Sequence, residues 1–286
     1  MDFVTTHPLD PQDAPIVTAM RAMVSSTKGM LRGIAARVPF DALMERVSPR
    51  EDVKFESDAI GGIPGLWVHP AHCQLDEAIL HLHGGWFNLG TAKAYRHLVA
   101  HIAARVGASA FIPDYRLAPE YPFPAAVDDV LACYGGIVER GIRRIAVTGD
   151  SAGGNLALVL ASRVARDSVS AKRTLVGAVA LSPVTDLTLS GATYETRADA
   201  DPFFTRPRWR NWCVPIWGAP IRKIHWLRRS TRDFRACPQS AFTSETTRCC
   251  WMIRVNISSA PSPPESMHDS MCGWGCHTAS SAASES

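Results

Sequence analysis

The sequence predicts an α/β fold built on a mostly parallel, doubly wound sheet, and three observations carry that reading. Runs rich in β-formers alternate with helical runs from about residue 52 to residue 183, an order that feeds a parallel sheet with helices on both faces. One of those strands, Ile145-Ala146-Val147-Thr148, runs into Gly149-Asp150-Ser151-Ala152-Gly153-Gly154 and then into a helix-forming stretch that begins at Asn155. An earlier strand, Ala78-Ile79-Leu80-His81-Leu82-His83, ends on Gly84-Gly85. Ligands of such sheets sit beyond the carboxyl ends of the strands, where both glycine turns fall.

The elements follow in order. Residues 11 to 46 read as helical, with Ile16, Met20, Met23 and Val24 on one apolar face and Leu31, Ile34 and Val38 on another. Pro39 is expected to interrupt that pattern, and Asp41 to cap a short continuation. Asp52 to Ser57 alternates polar and apolar residues, Gly61-Gly62 turns the chain, and Leu66 to His69 returns as a second strand. After the strand at 78–83 come a helix over about 92–106 and a strand over 108–113. A helix then starts after Pro122 and Pro124 and runs to about Arg140. The strand into Ser151, its helix, and a last strand from Val176 to Pro183 complete the alternation.

Composition narrows the class without naming a function. A chain of 286 residues, 46% hydrophobic and 20% charged, is ordinary for a globular protein and long enough for one large domain or two small ones. A net charge of +3 argues neither for nor against a nucleic-acid partner, and none is expected. The first residues show no basic and then apolar leader, and no run reaches the roughly 18 apolar residues of a membrane span. A cytoplasmic protein with no transmembrane segment is the expectation.

Strand, sharp glycine-flanked turn and helix is the context in which Gly-x-Ser-x-Gly acts as a nucleophile elbow. Ser151 is the candidate nucleophile; the competing reading is a serine that merely caps a helix. Glycines after the earlier strand let backbone N–H groups approach a substrate oxygen. Gly84, Gly85 and Ala152 are therefore the candidate oxyanion donors, an effect worth about 2.7–4 kcal/mol per donor. The plainer alternative there is a simple strand-to-helix turn. His83, inside the same loop, reads as a structural residue rather than the base.

His83-Gly84-Gly85, then Asp114-Tyr115-Arg116-Leu117-Ala118-Pro119-Glu120, then Gly149-Asp150-Ser151-Ala152-Gly153-Gly154 resemble the hormone-sensitive-lipase-like branch of the α/β-hydrolases, over about residues 50 to 205. The resemblance implies the α/β-hydrolase fold with an N-terminal helical cap. It implies hydrolysis of small carboxylic esters with short to medium acyl chains, a part in lipid metabolism, and no cofactor or metal. It makes Ser151 the nucleophile and Gly84, Gly85 and Ala152 the oxyanion donors. Ser182-Pro183-Val184-Thr185-Asp186-Leu187 also matches, with Asp186 in a structural role, and Asp201-Pro202-Phe203-Phe204 resembles the cap segment that follows. Trp86 departs from the small residue usual at its place and is expected to narrow the acyl pocket.

Chain order in this fold is serine, then acid, then histidine, with both partners about 100 residues beyond Ser151. The family's Gly-Asp/Glu-x-x-Leu-x-Asp-Asp and Gly-Met-x-His stretches do not occur after Pro207. Composition changes there instead: two cysteines and two tryptophans precede residue 207, and six of each follow it. Codons supply one reading of the change. Cys249-Cys250-Trp251-Met252-Ile253 regrouped one base earlier reads (Leu/Val/Met)-Leu-Leu-Asp-Asp. Met271 to Thr278 under the same shift reads Val-(Trp/Arg)-(Leu/Val/Met)-Gly-(Leu/Val/Met)-(Pro/Ser)-(His/Tyr). Residues from about Arg208 onward thus read as a frameshifted translation, the alternative being a divergent cap or C-terminal extension. Asp233, Asp269, His225, His268 and His277 are the late acids and histidines, none in a matching motif, and Cys249, Cys250, Cys272, Cys276 and His277 lack the usual zinc spacing.

The expected organisation is an N-terminal helical cap segment over 1–50, a hydrolase core over 51–207, and an aberrant tail over 208–286. The tail is expected to be disordered, with the last strands of the sheet missing. The expected function is a carboxylic ester hydrolase by resemblance, inactive as this chain for want of the acid and the base. The alternatives are a non-catalytic remnant and a module that binds esters or acyl groups without turnover.

Overall fold

A computed structural model describes residues 8–26, 33–166, 174–185, 187, 192–196, 199 and 252–255. Among the described residues, seven strands form one sheet in the order β1-β2-β4-β3-β5-β6-β7. Strands β1 (Val53–Ile60) and β2 (Ile63–Pro70) form a hairpin. Its turn is Gly61-Gly62, both at positive φ, as a tight two-residue loop demands. Strand β2 lies antiparallel to β4 (Ala108–Pro113), and β4, β3 (Gln74–Leu82), β5 (Arg144–Asp150) and β6 (Leu175–Leu181) run parallel. The expected doubly wound core is what the chain builds.

Side chains alternate between the two faces of this sheet, as period-two strands require. Ile79, Ala110 and Ile112 pack with Tyr95, Val99 and Ala103 of α3 (Ala92–Val106). Leu80, Leu82, Phe111 and Val147 pack on the other face, with Val130 and Ile137 of α4 (Ala125–Glu139) and Leu156 and Leu160 of α5 (Ser151–Arg166). Both faces are covered, so the central strands read as near-continuous apolar runs. Helix α3 is closed at both ends: the Thr91 hydroxyl accepts from the Ala94 amide at 3.1 Å, and Gly107 ends the helix at φ 70°.

The N-terminal segment holds α1 (Ala14–Ser26), a single 3₁₀ turn over Ile34–Ala36, and α2 (Arg37–Met44). Pro39 does not interrupt α2. It sits in the first turn, where backbone N–H groups have no intrahelical partner and proline removes nothing. Asp41 is accordingly not a cap; it lies inside α2 and accepts from the Thr91 hydroxyl at 3.2 Å. At the far edge of the sheet, β7 (Met252–Val255) pairs with β6 antiparallel, whereas every strand pair from β4 through β3 and β5 to β6 is parallel.

Candidate active site

Ser151 stands at the junction of β5 and α5 with φ 51°, a left-handed conformation that L residues adopt only where the surroundings impose it. Three neighbours impose it here. A Cβ on Gly149 would overlap the Gly153 carbonyl, and one on Gly153 would overlap the Leu82 carbonyl at the end of β3. Gly154 faces Pro183, where an added Cβ would lie 3.1 Å from the proline ring. The segment after β6 holds the turn from the other side. The Val184 amide donates to the Ser151 carbonyl at 3.1 Å, and the Asn155 side chain donates to the Val184 carbonyl at 2.8 Å. The glycines of this motif are thus contact residues: they let β5 and the start of α5 lie directly against the end of β3.

Beyond β3 the loop His83-Gly84-Gly85-Trp86-Phe87 turns through three successive positive φ values, 112° at Gly85, 59° at Trp86 and 61° at Phe87. The amides of Asn88 and Leu89 fold back on the Gly85 carbonyl at 3.1 and 2.8 Å. Gly84 does not play the part expected of it. Its N–H donates to Asp150 Oδ1 at 2.9 Å, and a Cβ there would strike the same carboxylate. A donor committed to a carboxylate is not open to a substrate oxygen. Gly84 is therefore the residue by which the loop is tied to the Ser151 turn, and it leaves the set of oxyanion donors. Gly85 and the fully buried Ala152 remain candidates.

Two residues that the motif reading passed over complete this arrangement. Asp150, an unspecified position of Gly-x-Ser-x-Gly, also accepts from the Tyr95 hydroxyl of α3 at 3.2 Å. Tyr115 donates to the His83 carbonyl at 2.7 Å and stacks on the His83 ring with centroids 4.3 Å apart. Both stand inside motifs legible in the sequence, Asp150 beside the serine and Tyr115 after Asp114. Neither pattern says which group the side chain reaches.

His83 is fully buried, and its Nδ1 donates to the Gly84 carbonyl at 2.8 Å. Burial pushes its pKa down to about 4, so the ring stays neutral with its proton on the loop. That geometry braces the backbone of the loop. His81 is held likewise: its Nδ1 lies 2.8 Å from the Thr148 hydroxyl, and burial lowers its pKa to about 3. Of the other described histidines, His69 pairs with the Ser109 hydroxyl at 2.9 Å and His101 donates to the Ser48 carbonyl at 2.8 Å, whereas the buried His97 Nδ1 has no hydrogen-bond partner among the described residues. Asp186, Asp233, Asp269, His225, His268, His277 and the late cysteines lie outside the described residues.

The N-terminal segment is anchored on this loop by one side chain. Arg37 donates to the Asn88 carbonyl at 2.9 Å, to the Ala118 carbonyl at 3.0 Å, and to both carboxylate oxygens of Glu120 at 2.8 and 2.7 Å. The fork of a guanidinium suits this threefold task, which a lysine cannot perform. Arg96 adds a contact to Glu45 at 2.8 Å, and Phe40 packs on Tyr95 with ring centroids 6.4 Å apart.

Comparison with known proteins places this geometry. The family model described as the alpha/beta hydrolase fold matches residues 79–243, more than half of the chain. The match runs past Pro207 and stops before Cys249. An acetyl-hydrolase of Streptomyces hygroscopicus is 39% identical over 140 residues, which cover 48% of this chain and 46% of that protein. The hormone-sensitive lipase of Mus musculus is 35% identical over 148 residues, 49% of this chain and 19% of that one. Among solved structures, the hormone-sensitive-lipase homologue EstE7 from a metagenome library superposes with a TM-score of 0.63 at 30% identity, covering 77% of this chain and 73% of that chain. The chain spans about half the length, or less, of the curated relatives it matches. Among the described residues no helix is long and apolar enough to cross a membrane. Fold, strand-end glycine motifs and matched length agree: the chain belongs to the α/β-hydrolase fold family, on its hormone-sensitive-lipase-like branch.

Proposed function

We propose that this chain carries the nucleophile and oxyanion half of a serine carboxylic ester hydrolase, and that in its present form it does not turn over esters. The observation that carries the reading is Ser151, held at positive φ between β5 and α5 beside a glycine loop tied to it through Asp150. In the complete reaction the serine attacks the ester carbonyl, a histidine takes its proton and returns it to the leaving alcohol, and backbone N–H groups hold the developing negative charge. Gly85 and Ala152 are the donors assigned here, together with the N-terminal end of α5, whose dipole favours that charge. Substrates are small esters with short to medium acyl chains, and Trp86, buried to 5% exposure, narrows the acyl site.

Inactivity follows from the tail. The acid and histidine stretches lie in another reading frame of residues 249–278, so the hydroxyl of Ser151 lacks its general base. The test is hydrolysis of p-nitrophenyl butyrate by the purified full chain beside its Ser151→Ala variant. Turnover at least about 10⁴-fold below that of a complete enzyme, and unchanged by the substitution, is expected. Ordinary turnover that the substitution abolishes overturns the reading.

A further inference from the structure

Outside the Ser151 site, exposed apolar surface concentrates on the N-terminal segment. Among the described residues, eight large apolar side chains stand exposed, and five of them fall between residues 16 and 38: Ile16, Met20, Met23, Ile34 and Val38, the last 80% exposed. Helix α1 buries none of its residues. Its exposed apolar residues are not scattered. Ile16, Ala19, Met20 and Met23 fall within an arc of about 100° on the helix. The half-buried Val17, Arg21 and Val24 lie on the adjoining face, and Thr18, Ser25 and Ser26 continue the polar side.

Charge supplies the second observation. Residues 14–40 contain Arg21, Lys28, Arg32 and Arg37 and no acidic residue at all, in a chain with 27 acids. An apolar stripe in an acid-free, basic segment is the pattern of a helix that lies in a lipid interface: apolar side chains enter the acyl boundary, and cations attract anionic headgroups. A protein partner would need complementary apolar shape, for which nothing in the chain argues. An anionic bilayer needs only these two properties. Arg37 meanwhile fixes the segment to the loop after β3 and to Glu120, so a surface that received α1 would lie on the side of the molecule that holds the N-terminal segment.

We propose that the α1 face formed by Ile16, Met20 and Met23 docks the protein on an anionic lipid surface. The docking is independent of catalytic competence, so its failure leaves the proposed function untouched. The test is flotation of the full chain with phosphatidylcholine vesicles, with and without phosphatidylglycerol, beside the triple variant Ile16→Ser/Met20→Ser/Met23→Ser. These side chains are exposed, and an unchanged far-ultraviolet circular dichroism spectrum checks that the variant keeps its fold. The expected result is that the parent floats with phosphatidylglycerol vesicles, that added salt weakens the binding, and that the variant binds about tenfold or more weakly. Equal flotation of parent and variant overturns the proposal and assigns binding to the arginines after residue 205. A parent that floats with neither vesicle, or that forms a dimer which the variant lacks, overturns it as well.

Discussion

Asp150 illustrates how much of this site rests on single side chains. Its carboxylate joins three elements: its own strand β5, the loop after β3 through the Gly84 amide, and α3 through the Tyr95 hydroxyl. Hydrogen bonds to a charged acceptor contribute about 1.5–3 kcal/mol each. Asp150→Asn is therefore expected to lower the thermal midpoint and to speed amide exchange at Gly84, read by hydrogen exchange. Gly153→Ala places a methyl group on the Leu82 carbonyl and is expected to cost about 3 kcal/mol in denaturant unfolding, near the upper end for overpacking. The buried histidines set a pH dependence whose sign is fixed. Both folded pKa values, about 3 for His81 and about 4 for His83, lie below the ordinary 6.5. Between those limits the unfolded chain binds more protons than the folded one, so stability present above pH 6.5 is lost as pH falls toward 4. Thermal midpoints measured across that window should decline less steeply for His81→Gln than for the parent. The motif glycines and Ser151 were legible in sequence because their spacing is itself the steric requirement. The misassigned Gly84 was not, because which amide stays open depends on an acid brought to it across 66 residues of chain.

Strands and helices of the core were legible for a different reason. Burial on both sheet faces leaves apolar runs that only a central strand satisfies, and β4 and α3 fall where periodicity puts them. Strand β3 begins earlier than its apolar run, at Gln74, because exposed residues can extend a strand without marking it. The N-terminal segment was legible as helix but not in its packing: three apolar residues of α1 that look like a buried stripe face outward. Arg37, a residue with no motif around it, ties the segment to the loop after β3, beside the Arg96–Glu45 and Thr91–Asp41 contacts. Arg37→Ala removes the bonds to Asn88, Ala118 and Glu120. The partly exposed pairing limits the global loss to about 1 kcal/mol. Hydrogen exchange should rise locally, over residues 33–44 and 84–90, and unchanged exchange there would show that the segment is held by other contacts.

At the scale of the whole molecule, composition changes near Pro207, and the family match runs across that point from residue 79 to residue 243. Residues 53–181 hold six strands and the helices that cover them, built to the family plan. From the tail comes β7, which meets β6 antiparallel and so ends the run of parallel pairing. That strand includes Met252 and Ile253, whose codons, read one base earlier, give the Asp-Asp pair that the proposed frameshift assigns to the family's acid stretch. This is the proposed reason that an intact serine turn and glycine loop are not followed by the family's acid and histidine stretches. The most direct test compares two proteins in one assay, the chain as it stands and the chain translated one base earlier from about residue 208. With p-nitrophenyl butyrate, the expected result is turnover by the second protein alone, abolished there by Ser151→Ala. Equal, Ser151-dependent turnover by both, or none by the reframed protein, would contradict the account.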